Sequence, residues 1–220
     1  MPLPLTEEKK GALKSKIMLM YLKYGFDGIS MDEIAARLHV GKPTLYKYFK
    51  SKEDIVREVE RFARERLTGF PLSAEGGIDD VLEGLSQIYC NGITLAVFSG
   101  SRYMADLKNR FPDLYTEHVQ AIDNLISRFQ AFHEKAAEKG FCRKLSLPLV
   151  GEQFHKMLPV VIDEEYLKKN NLTLRETIRE YYRMLLHQIL SDEYQNVIFM
   201  EETYAFCDRL AERVEEISTV

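Results

Sequence analysis

Cysteine is scarce in this sequence. Cys90, Cys142 and Cys207 are the only three in 220 residues, and they stand far apart. No CxxC pair or Cys/His ligand spacing occurs, which excludes a disulfide framework or a zinc knuckle and calls for no metal or other cofactor. A reducing, cytoplasmic setting is therefore expected. No apolar run approaches the ~18 residues of a membrane span. The opening stretch, Met1 to Lys10, has no basic region leading into an apolar core, so no signal peptide is expected. Seven prolines, twelve glycines and almost no alternation of β-branched residues exclude a strand-rich fold. The catalytic templates are missing too: there is no nucleophile elbow and no phosphate-cradling glycine loop, and His133-Glu134 lacks the second histidine of an HExxH site. An enzyme is not expected.

What is present is an ordinary globular composition, 45% hydrophobic and 29% charged. The net charge of −4 is unevenly spread. Residues 1–70 hold 14 Lys and Arg against 10 Asp and Glu, and the remaining residues hold 16 against 24. A basic end on an acidic body suits a phosphate-binding head, although a split of this size also arises by chance.

Apolar residues recur at three-to-four spacing throughout, which predicts an all-α protein of roughly nine to ten helices. The first helix is placed from near Thr6, with Leu13, Ile17, Tyr21 and Tyr24 on one face, and Gly25 ends it in the left-handed conformation that glycine adopts freely. Ser30 and Glu33 form a capping box for the second, whose inner face is Ile34, Ala35 and Leu38. The third begins after Val40-Gly41 with Pro43 in its first turn and runs to about Phe49. Ser51 caps the fourth, which carries Ile55, Val59 and Phe62 on its buried stripe.

The Gly69-Phe70-Pro71 and Glu75-Gly76-Gly77 stretches mark a boundary. It separates a head, residues 1–68, from a helical body, residues 69–220. In the body, helices are expected over about 78–98 (softened near Asn91-Gly92), 112–139, 149–161 (interrupted by Pro159), 174–190 and 195–216, with a short segment around 102–109.

Three short helices in residues 7–50, with only about four residues between the second and third, have the spacing of a helix-turn-helix. In the third helix, Leu45 and Phe49 can anchor to a small core, while Lys42, Thr44, Tyr46 and Lys47 lie off that face. Lysine can bond guanine or phosphate, hydroxyls can bond phosphate, and a tyrosine ring can pack on a thymine methyl. Two readings of Tyr46 and Tyr48 stand at this point: groove contacts, or core aromatics of a small three-helix domain. Lys52 opens the fourth helix, where its ammonium and the helix amides favour the same phosphate.

The run from Phe26 to Ala35, then His39 to Phe49, then Ser51-Lys52-Glu53, resembles the DNA-binding segment of the tetracycline-repressor (TetR) family. The resemblance covers about residues 10–62. It implies phosphate contacts at Thr44, Tyr48 and Lys52, groove-facing positions at Lys42, Pro43, Tyr46 and Lys47, and a bracing helix opened by Ser30 and Met31 beside the DNA backbone. The sequence departs from the commoner pattern at His39, where many members have Gly, and at Gly41, where many have Ser or Thr and which deprives the third helix of a side-chain cap.

Beyond the head, Tyr89, Phe98, Tyr103, Met104 and Phe111 fall on inner faces, as do His118, Phe129, His133, Phe154 and Met157. They read either as plain core or as the lining of an apolar effector cavity. Fifteen residues separate His118 from His133 on one helix, so both could face one cavity. Ile178, Tyr181, Tyr182, Leu185 and Ile189 make an apolar stripe near the end of the chain, and Phe206, Leu210 and Val214 make another. Both could pack on the body; the resemblance implies instead a dimer through the last two helices.

The expected function is a homodimeric transcription regulator, a repressor that binds a palindromic operator and is released by a small-molecule effector. The alternative is an effector-independent architectural or division factor on the same fold.

Overall fold

The computed structural model describes residues 7–219, with side chains through residue 216. The expected start of the first helix at Thr6 lies outside the described residues. Within them the chain forms eleven α-helices and two 3-10 segments, slightly more than expected. There is no strand among the described residues, only an isolated bridge between Cys142 and Leu190.

The head helices are α1 (Glu7–Tyr24), α2 (Met31–Arg37), α3 (Lys42–Tyr48) and α4 (Lys52–Thr68). Then follow α5 (Ile78–Ser99), α6 (Arg102–Arg110), α7 (Pro112–Glu138), α8 (Leu147–Val161), α9 (Glu164–Lys169), α10 (Leu174–Ile189) and α11 (Ala205–Thr219). Two compact units emerge. One takes in the described residues up to Gly69 together with Phe98–Asp123; the other takes in Phe70–Val97 and Asn124–Glu216.

In the first unit, α1 packs on α4 and α6. Ile17, Tyr21, Phe26, Ile34, Leu45, Phe49 and Ile55 are shut away in its interior. The ring of Tyr21 stacks on Tyr103, and Phe26 lies against Tyr103 and Phe111 with centroids 5.8 and 5.7 Å away. Buried aromatic pairs of this kind add to the apolar burial that holds such a small unit together.

The second unit is built around the α5 stripe of Val81, Leu85, Tyr89 and Ile93, with Leu158, Tyr182, Leu186 and Cys207 packed in the same core. Among the described residues α5 alone is long and apolar enough to cross a bilayer by length and composition. A search for unbroken apolar runs passes over it because Glu83, Gln87 and Asn91 interrupt the pattern. Its buried stripe is satisfied by protein, and the Tyr89 hydroxyl donates to the Ile178 carbonyl at 2.7 Å. Gly92 does not soften the helix. It lets α8 come close: a Cβ there would meet Phe154 Cε1 at 2.4 Å and Leu158 Cδ1 at 2.6 Å.

Two other expectations are corrected. Pro159 does not interrupt α8, because it stands in the last turn, where the missing N–H removes one bond and no turn follows to be kinked. The helix expected from residue 195 begins only at Ala205. Before it come the 3-10 segments Asp192–Phe199 and Glu201–Tyr204, separated by extended backbone at Met200. The Thr203 and Tyr204 hydroxyls donate to the Val197 and Ile198 carbonyls at 2.8 and 2.6 Å, which satisfies carbonyls that a continuous helix would have used. The short helix α9 was not foreseen. Its Asp163 cap accepts from Tyr166 N at 2.7 Å, with glutamates in its first turn and lysines in its last.

Candidate nucleic-acid interface

Local chemistry sets the three helices of the motif. At the start of α2, Ser30 Oγ accepts from Glu33 N at 3.2 Å, and Glu33 Oε2 accepts from Ser30 N at 2.8 Å. These two bonds satisfy two of the amides that a helix start leaves open. The Glu33 carboxyl is held below the ordinary carboxylate range by those serine bonds, backbone first. After Arg37 the chain turns at once. Leu38 closes the helix, and His39 sits at φ 54°, the left-handed region that explains why glycine suits this position. Gly41 then precedes α3 without a side-chain cap, and Pro43 lies in the first turn.

The exposure pattern of α3 is sharply two-sided. Leu45 and Phe49 are fully buried, while Lys42, Pro43, Thr44, Tyr46 and Lys47 are exposed. Tyr46 keeps 51% of its surface, so it is not a core aromatic of the unbound chain. Tyr48 is half-buried, tilted against Phe49 with centroids 6.4 Å apart. Ser30 is exposed and Met31 half-buried at the start of the neighbouring helix. Lys42 Nζ lies 2.6 Å from Asp32 Oδ2, an exposed pair joining α3 to α2.

Lys52 is half-buried at the start of α4, where Ser51 Oγ accepts from Asp54 N at 3.1 Å. Its ammonium donates to the Asp27 carbonyl at 2.8 Å, which fixes the side chain beside the α1–α2 turn. That turn is itself held from α6. Asp106 Oδ2 accepts from Phe26 N at 2.7 Å and from Asp27 N at 3.0 Å. Gly25 sits there at φ +71°, and a Cβ would meet Asp106 Oδ2 at 2.4 Å, so glycine is required by both backbone and space. Asp27 Oδ1 also pairs with Arg110 Nε at 2.9 Å. Asp106 and Arg110 escaped sequence reasoning because nearly eighty residues separate them from the turn.

A second missed residue is Glu60. It sits on the α4 stripe with Val56, Val59 and Ala63, and a carboxylate at that spacing was a readable signal. It is completely buried, its Oε1 lies 2.7 Å from His118 Nδ1, and its Oε2 accepts from the Tyr103 hydroxyl. His118 stacks on Phe98, and its Nε2 has no hydrogen-bond partner.

The ten candidate cavity residues are thus divided. Phe98, Tyr103, Met104, Phe111 and His118 belong to the first unit, and Tyr89, Phe129, His133, Phe154 and Met157 to the second. His118 and His133, read as facing one cavity, fall in different units, and His118 is committed to Glu60. In the second unit the rings of Tyr89, Phe154 and Tyr181 lie 6.0–6.2 Å apart. His133 is buried against Phe129, and desolvation pushes its pKa down, partly offset by Glu134. Met157 is exposed.

Of the residues expected at a dimer interface, Ile178, Tyr181, Tyr182, Leu185, Ile189, Leu210 and Val214 are buried in the protomer's own core. Phe206 is half-buried against the Tyr182 and Tyr89 rings. An apolar stripe reports that a face is covered, and here the same chain covers it. Exposed large apolar side chains of this region include Met184 on α10, Leu149 and Met157 on α8, Phe199 beside His187, and Met200 next to it.

Residues 20–59 match the family model described as bacterial regulatory proteins, tetR family. No curated protein matches the chain. Among solved structures, the ketosteroid transcriptional regulator KstR2 of Mycobacterium tuberculosis is similar with a TM-score of 0.57 at 17% identity, over 86% of this chain and 98% of that one. A TetR-family transcriptional regulator from Marinobacter aquaeolei VT8 gives 0.54 at 17% identity, over 94% and 99%. TylP, a TetR regulator from Streptomyces fradiae, gives 0.54 at 18% identity, over 93% and 99%. At these identities the likeness establishes the fold.

Proposed function

We propose that this chain, whose residues 20–59 match the model of the tetR family of bacterial regulatory proteins, is a homodimeric, cytoplasmic transcription repressor that reads a palindromic operator and releases it when a small molecule binds the body. The observation that carries the DNA-reading part is the two-sided α3. Leu45 and Phe49 anchor it, and Lys42, Pro43, Tyr46 and Lys47 are exposed on a helix short enough to lie in a major groove. Thr44, Tyr48 and Lys52 supply the phosphate contacts that set its register, and Ser30 and Met31 bring the bracing helix to the backbone. Exposed Leu149 and Met157 on α8, Met184 on α10 and Phe199 at the end of the 192–199 segment favour a second copy seated on this side of the protomer. That partner would place two recognition helices on one palindrome. The ring cluster of Tyr89, Phe154 and Tyr181 and the separate pair of Phe129 and His133 supply the aromatic and polar groups that an apolar effector site in the second unit would use. An effector that favours one spacing of the heads by ~1.4 kcal/mol shifts their equilibrium tenfold.

The test compares two variants on a selected operator and on random duplex. Lys52→Ala is expected to weaken both about equally, whereas Tyr46→Ala is expected to lose preference at particular base pairs. Equal losses on both duplexes for Tyr46→Ala would refute base reading by α3.

A further inference from the structure

We propose that α6 contributes a second DNA-backbone contact through Arg110, paired with Lys52 across Asp27. The inference rests on the DNA-reading function proposed above. It starts from Asp27, whose two oxygen-bearing groups serve two cations at once: the carbonyl accepts from Lys52 Nζ at 2.8 Å and the carboxylate pairs with Arg110 Nε at 2.9 Å. The two cationic groups are therefore neighbours, although they come from helices some sixty residues apart in sequence.

Their relative position is fixed rather than incidental. One helical turn before Arg110, the Asp106 carboxylate accepts both the Phe26 and Asp27 amides, so α6 is bolted to the same turn that holds Lys52. Gly25 gives that carboxylate the room it needs.

Arg110 is 63% exposed and Asp27 52% exposed, so their pair adds little to stability. Its geometry has another consequence. Asp27 engages Arg110 through Nε, and among the described residues no other ion pair occupies the guanidinium. The outer end of the fork is thus free to bind a phosphate in the bidentate manner that arginine favours. The cluster's two cations balance its two carboxylates, Asp27 and Asp106, so the contact rests on the exposed guanidinium fork and not on an excess of positive charge. The ligand is a backbone phosphate next to the one held by Lys52, so the contact carries no base information.

The experiment measures operator affinity against salt concentration for the full-length dimer and for Arg110→Ala, Arg110→Lys, Asp27→Asn and Lys52→Ala, with melting temperatures recorded alongside. Each phosphate contact contributes about 0.9 to the slope of log K against log salt, so Arg110→Ala is expected to flatten it by about 1.8 for two heads. Arg110→Lys is expected to keep the slope and weaken binding, because charge is retained and the fork is lost. Asp27→Asn is expected to leave the slope as steep as in the parent protein or steeper. If Arg110→Ala keeps the parent slope while Lys52→Ala flattens it, the α6 contact is refuted and the function stands. If Asp27→Asn and Arg110→Ala flatten the slope alike, Arg110 merely holds the turn, and the contact is likewise refuted. If the parent protein binds no duplex in a salt-dependent manner, the function and the contact fall together.

Discussion

Breaking the buried pair between Glu60 and His118 should cost far more than its single short contact suggests. Glu60 is fully enclosed, His118 is 1% exposed, and the two touch at 2.7 Å, with Tyr103 on the other carboxylate oxygen. In His118→Leu the carboxylate keeps one donor in an interior closed to bulk solvent. In Glu60→Leu both His118 Nδ1 and the Tyr103 hydroxyl lose their acceptor. Removing one partner of such a pair costs about 3–5 kcal/mol, because the other is left uncompensated. For a chain of this size that corresponds to about 6–20 °C in melting temperature. The double variant Glu60→Leu/His118→Leu leaves only the Tyr103 hydroxyl unpaired. It should therefore lie well above the sum of the single losses, with a coupling of about 2–3 kcal/mol. Adding Tyr103→Phe should recover more. The assay is thermal and urea unfolding of all four proteins at neutral pH. Single costs below about 1 kcal/mol, or losses additive within ~0.5 kcal/mol, would refute the reasoning.

Three further outcomes follow from the same geometry. Gly25→Ala forces an L-residue to φ +71° and drives its Cβ into Asp106, so a loss beyond the ~1–2 kcal/mol of the backbone term alone is expected in denaturant melts; a neutral result would mean that the turn is not held as described. At Glu58, burial raises the carboxyl pKa, but bonds from Lys14, Arg61 and Lys10 outweigh it and hold the value at about 2. That depressed carboxylate stabilises the folded chain above pH ~4.5 and loses its contribution as pH falls towards 2, so Glu58→Gln should flatten the acid limb of the stability curve, and an unchanged limb would contradict this. Met184→Glu combined with Phe199→Glu should shift the protein to monomer in analytical ultracentrifugation with the melting temperature of the protomer retained, and a persistent dimer would place the interface elsewhere.

The head was legible because its signals are local. A capping serine followed three residues later by glutamate, a glycine where the chain must turn left, and a proline in a first turn each act within one helical turn, and Ser30, Gly25 and Pro43 occupy these places. The α3 face was legible for the same reason, since Leu45 and Phe49 are four residues apart. Less could be read where partners are distant. Nothing near Asp106 or Arg110 in the sequence points to a turn eighty residues earlier. The α10 stripe from Ile178 to Ile189 announced a buried face without saying which chain buries it, and the protomer's own α8 and 192–199 segment do so, with the Tyr89 and Phe206 rings. Glu60 lies between these cases: its place on an apolar stripe was visible, but its partners on α6 and α7 were not.

The central question for this protein is whether α3 reads bases. Purified protein mixed with random duplexes, with the bound fraction sequenced at two salt concentrations, tests that alone. A palindromic consensus whose recovery falls steeply with salt is the expected result. No enrichment at either salt would contradict it, because a helix that leaves Lys42, Tyr46 and Lys47 exposed would then have no groove to enter.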